Sequence, residues 1–238
     1  GMADDLSLLE WLYDRILPLE ARMDREAVRY SSLLGALELL KGGTTTVLDF
    51  GSARFEEEVF RAMWESGIRG FSGNIIMDMD APEGLLNDYR SSIGEAVRLI
   101  KEWCGRRRLG FFFTPRFALS CSRECLEAVV EAAREHGAGI QTHASENVKE
   151  VEIVRERTGM GNVEYLASLG IAGPRVVLAH CIWLDEDEME LLARTGTNVA
   201  HCPSSNLKLG SGIARVPEML GRGINVTLGA DGAPCNNN

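Results

Sequence analysis

Short apolar, β-branched runs alternate with longer amphipathic stretches along almost the whole chain. The strand-like runs cover residues 45–50, 68–77, 109–114, 139–143, 175–180, 197–201 and 225–229. Between them apolar residues recur at three-and-four spacing. That period predicts helices over 25–40, 56–65, 89–103, 123–136, 148–157, 185–194 and 215–220, with a short one over 163–169. Gly42-Gly43 stops the first of these helices. Ser122 and Asp185 are N-cap residue types with acidic side chains just after them.

Regular alternation of this kind implies βαβ units and a parallel sheet. A doubly wound sheet usually carries a glycine-rich phosphate loop after its first strand. Neither GxGxxG nor GxxxxGK[ST] occurs here. The expectation is therefore a single α/β domain over residues 1–238, a (β/α)8 TIM-type barrel with seven of its eight strands visible. Residues 1–12 read as loop leading into a helix, with no strand before it. Residues 233–238 add no closing helix. The chain reads as a fragment lacking the first strand and the C-terminal part of the barrel.

Composition narrows the function classes. Hydrophobic content of 45% and charged content of 25% are ordinary for a soluble globular protein. The net charge of −10 argues against a nucleic-acid or membrane surface. Arg106-Arg107-Arg108 is the one basic run and reads as a solvated helix end. No apolar run approaches the roughly 20 residues of a membrane span, and no signal peptide opens the sequence. The six cysteines contain no CxxC pair, which points to reduced thiols in the cytoplasm. Cys121-x3-Cys125 has no second pair beside it and is not read as a metal motif.

The candidate chemistry sits where strands end. Of four histidines, His143, His180 and His201 close strand-like runs, whereas His136 precedes Gly137 at a helix end. In a barrel of parallel strands the C-terminal strand ends share one mouth, where active sites are built. His143 can bind zinc through one imidazole nitrogen, and Glu146 follows on the next turn, within reach of a metal-bound water. His180 is a ligand or a hydrogen-bond partner of the reacting group. Asp231 closes the last run and can both bind a divalent metal and take a proton. His201 reads as structural, and the residues after it, 202–206, read as a loop that shapes a pocket. Two histidines and one aspartate make a sparse zinc site, since hydrolytic sites typically use three protein ligands.

These residues resemble the amidohydrolase superfamily, in its branch of zinc aminohydrolases acting on amino-substituted heterocycles. The resemblance covers nearly the whole chain. It is strongest over residues 142–147, 177–181, 201–212 (HCPSSNLKLGSG) and 228–237 (LGADGAPCNN), and the opening MADDLSLLEWL is also similar. It implies a (β/α)8 barrel with His143 and Asp231 as metal ligands, Glu146 as proton shuttle and His180 hydrogen-bonding the reacting centre. Zinc is the implied metal, with iron or manganese as alternatives. A metal-activated hydroxide would displace ammonia from a ring carbon, with Asp231 as base. The family's His-x-His pair on the first strand has no counterpart in this sequence.

Residues 114–122 (TPRFALSCS) and 143–147 resemble guanine deaminases. Carried over, Arg116 would bind the purine's carbonyl edge and Phe117 would pack on the ring. The alternatives are an ion pair for Arg116 and ordinary core for Phe117. Residues 162–166 and 229–234 look instead like deaminases of methylthioadenosine, S-adenosylhomocysteine or 5′-deoxyadenosine, and triazine hydrolases share the framework. The expected substrate is a small amino-substituted purine, with guanine favoured. A catalytically silent purine-binding barrel and a hydrolase releasing chloride or an alkylamine are the competing readings. Homodimers are common in the superfamily, so a homodimer is expected.

Overall fold

Each β-branched run is too short to bury itself, and the structure pairs these runs edge to edge in one parallel sheet. The computed structural model describes residues 6–105 and 108–235. In chain order the elements are α1 (Leu8–Trp11), a π-helical turn (Leu12–Ile16), α2 (Leu17–Glu20), α3 (Arg25–Lys41), β1 (Thr46–Leu48), α4 (Glu56–Ser66), β2 (Arg69–Ser72), β3 (Ile75–Ile76), α5 (Tyr89–Trp103) and β4 (Leu109–Pro115). They continue with α6 (Arg123–His136), β5 (Gly139–Ala144), α7 (Val148–Thr158), α8 (Asn162–Ser168), β6 (Val176–His180), α9 (Glu186–Thr195), β7 (Asn198–His201), α10 (Pro203–Lys208), α11 (Val216–Gly221) and β8 (Val226–Leu228).

The strand order β1-β2-β4-β5-β6-β7-β8 follows the chain, with β3 also on β4, and every pairing is parallel. A doubly wound sheet reverses its order partway. This one winds in a single direction, as a segment of a TIM-type barrel does. Among the described residues β1 and β8 are its two edges, and Leu228 on β8 is 79% exposed.

Aromatic packing welds the helices to the sheet. Phe60 of α4 stacks on Trp103 of α5 at 6.2 Å and on Phe111 of β4 at 6.1 Å. Phe113 meets Phe111 edge-on at 5.2 Å. Phe60 and Phe113 are fully buried. Burial of one such side chain is worth about 1.5–3 kcal/mol.

Three expectations need correction. The run over 68–77 is not one strand but breaks at Gly73-Asn74 between β2 and β3. A Cβ at Gly73 would lie 1.8 Å from the Phe112 carbonyl oxygen, so only glycine permits this approach to β4. The freed carbonyls of Gly73 and Asn74 both accept from the Thr114 hydroxyl, at 3.0 and 2.8 Å. The segment after His201 is a helix, α10, started by Pro203, whose missing N–H costs nothing there. Helix also begins earlier than expected, at Leu8, because Ser7 and Glu10 form a capping box.

Residues 1–5, 106, 107 and 236–238 lie outside the described residues, and with them most of the basic run and both ends of the resemblance. Arg108, the third residue of that run, sits over the Trp64 ring and donates to the Gly67 carbonyl. No helix among the described residues is long and apolar enough to cross a membrane.

Candidate active site at the strand ends

Register brings the first residues together. β5 and β6 pair with His143 opposite Ala179 and Ala144 opposite His180, so the two histidines end neighbouring strands. Beyond them the backbone turns sharply. Ser145, His180, Cys181 and Asp231 have φ of 51°, 74°, 49° and 62°, in the left-handed region. Each such non-glycine residue costs on the order of 1–3 kcal/mol, and strain of this kind concentrates at functional sites. Hydrogen bonds hold the turns in place: Cys181 N donates to Ala144 O, and the Ile182 and Trp183 amides both donate to Ser145 O.

The two imidazoles are oriented from behind. His143 Nδ1 lies 2.9 Å from Arg116 O. A carbonyl only accepts, so Nδ1 carries the proton and Nε2 keeps its lone pair for the site. Burial, followed by the nearby His180, lowers the His143 pKa to about 4. The ring stacks on His180 at 5.4 Å and takes Phe50 on its edge at 4.5 Å. His180 Nδ1 is 2.8 Å from Asn206 Oδ1 on α10, which fixes that ring in the same way.

Glu146 faces His180, with Oε2 3.5 Å from Nε2. Both residues are buried. Burial pushes the Glu146 carboxyl well above its usual range, and the charges of Asp231 and Glu150 push it further. A carboxyl whose proton affinity is raised in this way is suited to passing a proton to and from a reacting atom. Its turn is anchored by Glu150, which accepts from the amides of Glu146 (2.9 Å) and Asn147 (3.4 Å) and from Asn162 Nδ2 (2.6 Å).

Asp231 lies on the exposed β8 side and accepts from Gly232 N at 2.7 Å. Ligand atoms of His180, Cys202 and Asp231 all fall within 4.8 Å of one another. Gly229 makes room for this approach, because a Cβ there would sit 2.7 Å from Cys202 Sγ. The Cys202 thiol is pushed up to about 12, by burial first and then by Asp231 and Glu146. His201 closes β7 with a buried Nδ1 that has no hydrogen-bond partner. Imidazole nitrogens with a free lone pair beside a carboxylate fit a divalent cation of the zinc type.

Arg116 and Phe117, the two expected substrate contacts, directly follow β4. Arg116 is nearly buried and engages Glu20 with both terminal nitrogens, at 2.7 and 3.0 Å. Phe117 is buried in the core and bridges to His143 through its backbone. Sequence reasoning missed Glu20, Glu150, Cys202 and Asn206. Glu150 alone carried a local signal, the Asn147-x-x-Glu150 capping box.

The sequence profile of the amidohydrolase family matches residues 1–238. The chain belongs to the amidohydrolase family. It is 40% identical over 240 residues to a 5-methylthioadenosine/S-adenosylhomocysteine deaminase of Thermococcus onnurineus, covering 100% of this chain and 55% of that relative. It is 41% identical over 239 residues to a 5′-deoxyadenosine deaminase of Methanopyrus kandleri, covering 100% and 54%. Among solved structures, guanine deaminase from C. acetobutylicum with bound guanine superposes with a TM-score of 0.94 at 29% identity, covering 100% of this chain and 58% of that one. An adenosine deaminase from Xanthomonas campestris with bound zinc gives 0.92 at 29% identity, covering 100% and 54%. This amidohydrolase chain spans about half the length of the curated relatives it matches.

Proposed function

We propose that the protein is a metal-dependent hydrolytic deaminase of an adenine nucleoside altered at its 5′ position: 5′-deoxyadenosine, methylthioadenosine or S-adenosylhomocysteine. The observation that carries the deaminase reading is the convergence of Glu146, His143, His180 and Asp231 at adjoining strand ends, with Glu146 and His180 3.5 Å apart. The names of the relatives at 40% and 41% identity support the nucleoside over guanine. The Arg116 guanidinium points the same way. Its ion pair with Glu20 sets an acceptor beside the donor, which suits sugar hydroxyls better than a bare carbonyl edge.

His143 and Asp231 would hold the cation, with His180 beside them. When bound, a zinc-type ion acidifies the water that is to be added. Asp231 takes the proton from that water. Glu146 delivers a proton to the ring nitrogen and recovers one from the added hydroxyl, while Asp231 returns the proton it took from water to the amino group, which leaves as ammonia. His180, locked by Asn206, donates to or orients the reacting centre. The free state of all six cysteines supports a reducing compartment such as the cytoplasm.

Ammonia release by the metal-loaded full-length protein tests the reading, with 5′-deoxyadenosine, S-adenosylhomocysteine and guanine supplied in parallel. Release from the nucleosides and not from guanine is expected. Release from guanine alone overturns the substrate class, and silence on all three with metal bound overturns the deaminase chemistry.

A further inference from the structure

Away from the strand-end histidines, metal-ligating side chains from two distant segments meet at the start of α6. Asp78 follows β3, and Cys121 and Cys125 flank the α6 N-cap. Their ligand atoms lie within 4.8 Å of one another. Cys121 and Cys125 are 3% and 0% exposed, whereas Asp78 is only partly buried, so solvent reaches the cluster from the carboxylate side.

The cluster is rigidly built. Asp78 Oδ1 accepts from Ser122 N at 2.7 Å, and Oδ2 accepts from Ser122 Oγ at 2.5 Å. Ser122 Oγ in turn accepts from Cys125 N at 3.1 Å. The amides of Asp78 and Met79 both donate to Ser120 O. Cys121 Sγ donates to Ile76 O at 3.3 Å. That carbonyl also accepts from Arg116 N, so loss of the thiol proton would not orphan it.

We propose that Asp78, Cys121 and Cys125 form a second cation site, separate from the strand-end histidines, for a thiophilic divalent ion such as zinc. Two thiolates and a carboxylate select zinc-like ions over magnesium or calcium and leave a fourth tetrahedral position to water. The ligand atoms already lie within 4.8 Å of one another, a spacing from which zinc–sulfur bonds of about 2.3 Å can close. Binding is an exchange: one divalent ion enters, the two thiol protons leave, and three anionic donors give the complex a net charge of −1. Thiols must lose their protons to bind the ion, so affinity falls as pH drops. The bound ion would tie the end of β3 to the start of α6. The third ligand comes from a remote segment, which is why Cys121-x3-Cys125 carries no recognisable motif.

Cadmium titration of the full-length protein tests this, read by the sulfur-to-cadmium charge-transfer band in the ultraviolet. Cys202 lies beside the strand-end site, so Cys202→Ser is the reference background. A band that persists in that background, saturates at one equivalent and disappears in Cys121→Ser or Cys125→Ser is expected. Asp78→Asn keeps both thiols and should weaken binding by about tenfold or more. A band absent from the Cys202→Ser background, or unchanged by Cys125→Ser, overturns the site. Where a cysteine variant fails to fold, Asp78→Asn decides, and wild-type cadmium affinity in that variant overturns it too.

Discussion

Replacing Glu150 tests how the turn that carries Glu146 is held. Glu150 is 1% exposed and accepts from Glu146 N, Asn147 N and Asn162 Nδ2. Glu150→Ala leaves these three donors without an acceptor. Each buried orphan costs about 1–3 kcal/mol. The Asn147 contact, at 3.4 Å, is already weak and contributes least. Alanine also removes a carboxyl whose pKa burial raises, which returns part of the loss. The net expectation is a destabilisation of about 2–4 kcal/mol.

Glu150→Gln should behave differently. Its amide oxygen takes the two backbone donors, and its NH2 group faces Asn162. Asn162 Oδ1 has no hydrogen-bond partner. Turning that amide over restores a hydrogen bond, so the variant should stay within about 1 kcal/mol of wild type. Urea unfolding with an unchanged m-value reads both numbers. Turnover should fall in Glu150→Ala, up to the roughly 10²–10⁴ that a positioned acid–base group provides. A harmless Glu150→Ala, or a Glu150→Gln as damaging as alanine, would refute the reasoning.

Three further outcomes follow from the same geometry. Burial and the Asp49 charge hold Glu56 well above its ordinary pKa, while Ser52 N and Ser72 Oγ donate to it at 2.7 and 2.6 Å. The folded state therefore binds this proton more tightly than the unfolded one. Wild-type stability should fall as pH rises above the unfolded value, about 4.3, by up to about 1.4 kcal/mol per unit. Glu56→Gln keeps an acceptor for Ser52 and a donor for Ser72, so it removes that slope and gains on wild type in urea unfolding as pH rises above about 4.3; parallel slopes contradict this. Asn206→Ala deprives His180 Nδ1 of its acceptor and should lower kcat about 10–100-fold with KM little changed, whereas Asn206→Asp retains more activity. An unaltered kcat in Asn206→Ala contradicts the positioning role. Gly73→Ala places a Cβ 1.8 Å from Phe112 O and should cost about 3 kcal/mol or more by thermal unfolding, with a loss under about 1 kcal/mol counting against the fit.

Much of the architecture was legible because a parallel sheet writes itself as buried β-branched runs between amphipathic helices. The helices over Tyr89–Trp103 and Arg123–His136 end where the periodicity does. The break at Gly73-Asn74 was not legible. Phe71 stands before it and the apolar Ile75-Ile76-Met77 after it, and the constraint is the Phe112 carbonyl of another strand. α10 was missed because it is short and polar and opens on proline. At the site, His143, His180 and Asp231 stood out as polar residues closing strand-like runs, and Glu146 as the acid on the turn after His143. Glu20, Asn206 and Asp78 were not, because each engages a residue far along the chain: Arg116, His180 and Ser122. Arg116 engages Glu20, the kind of ion pair that stood as its alternative reading.

Glu146→Gln in the metal-loaded full-length protein is the most direct test of the central claim. Glutamine preserves the shape of the side chain beside His180 and removes only the transferable proton. With metal content unchanged, deamination of 5′-deoxyadenosine should fall by about 10²-fold or more. Activity retained at the wild-type level, with the same metal content, would contradict the assignment of Glu146 and with it the reading of the strand-end cluster.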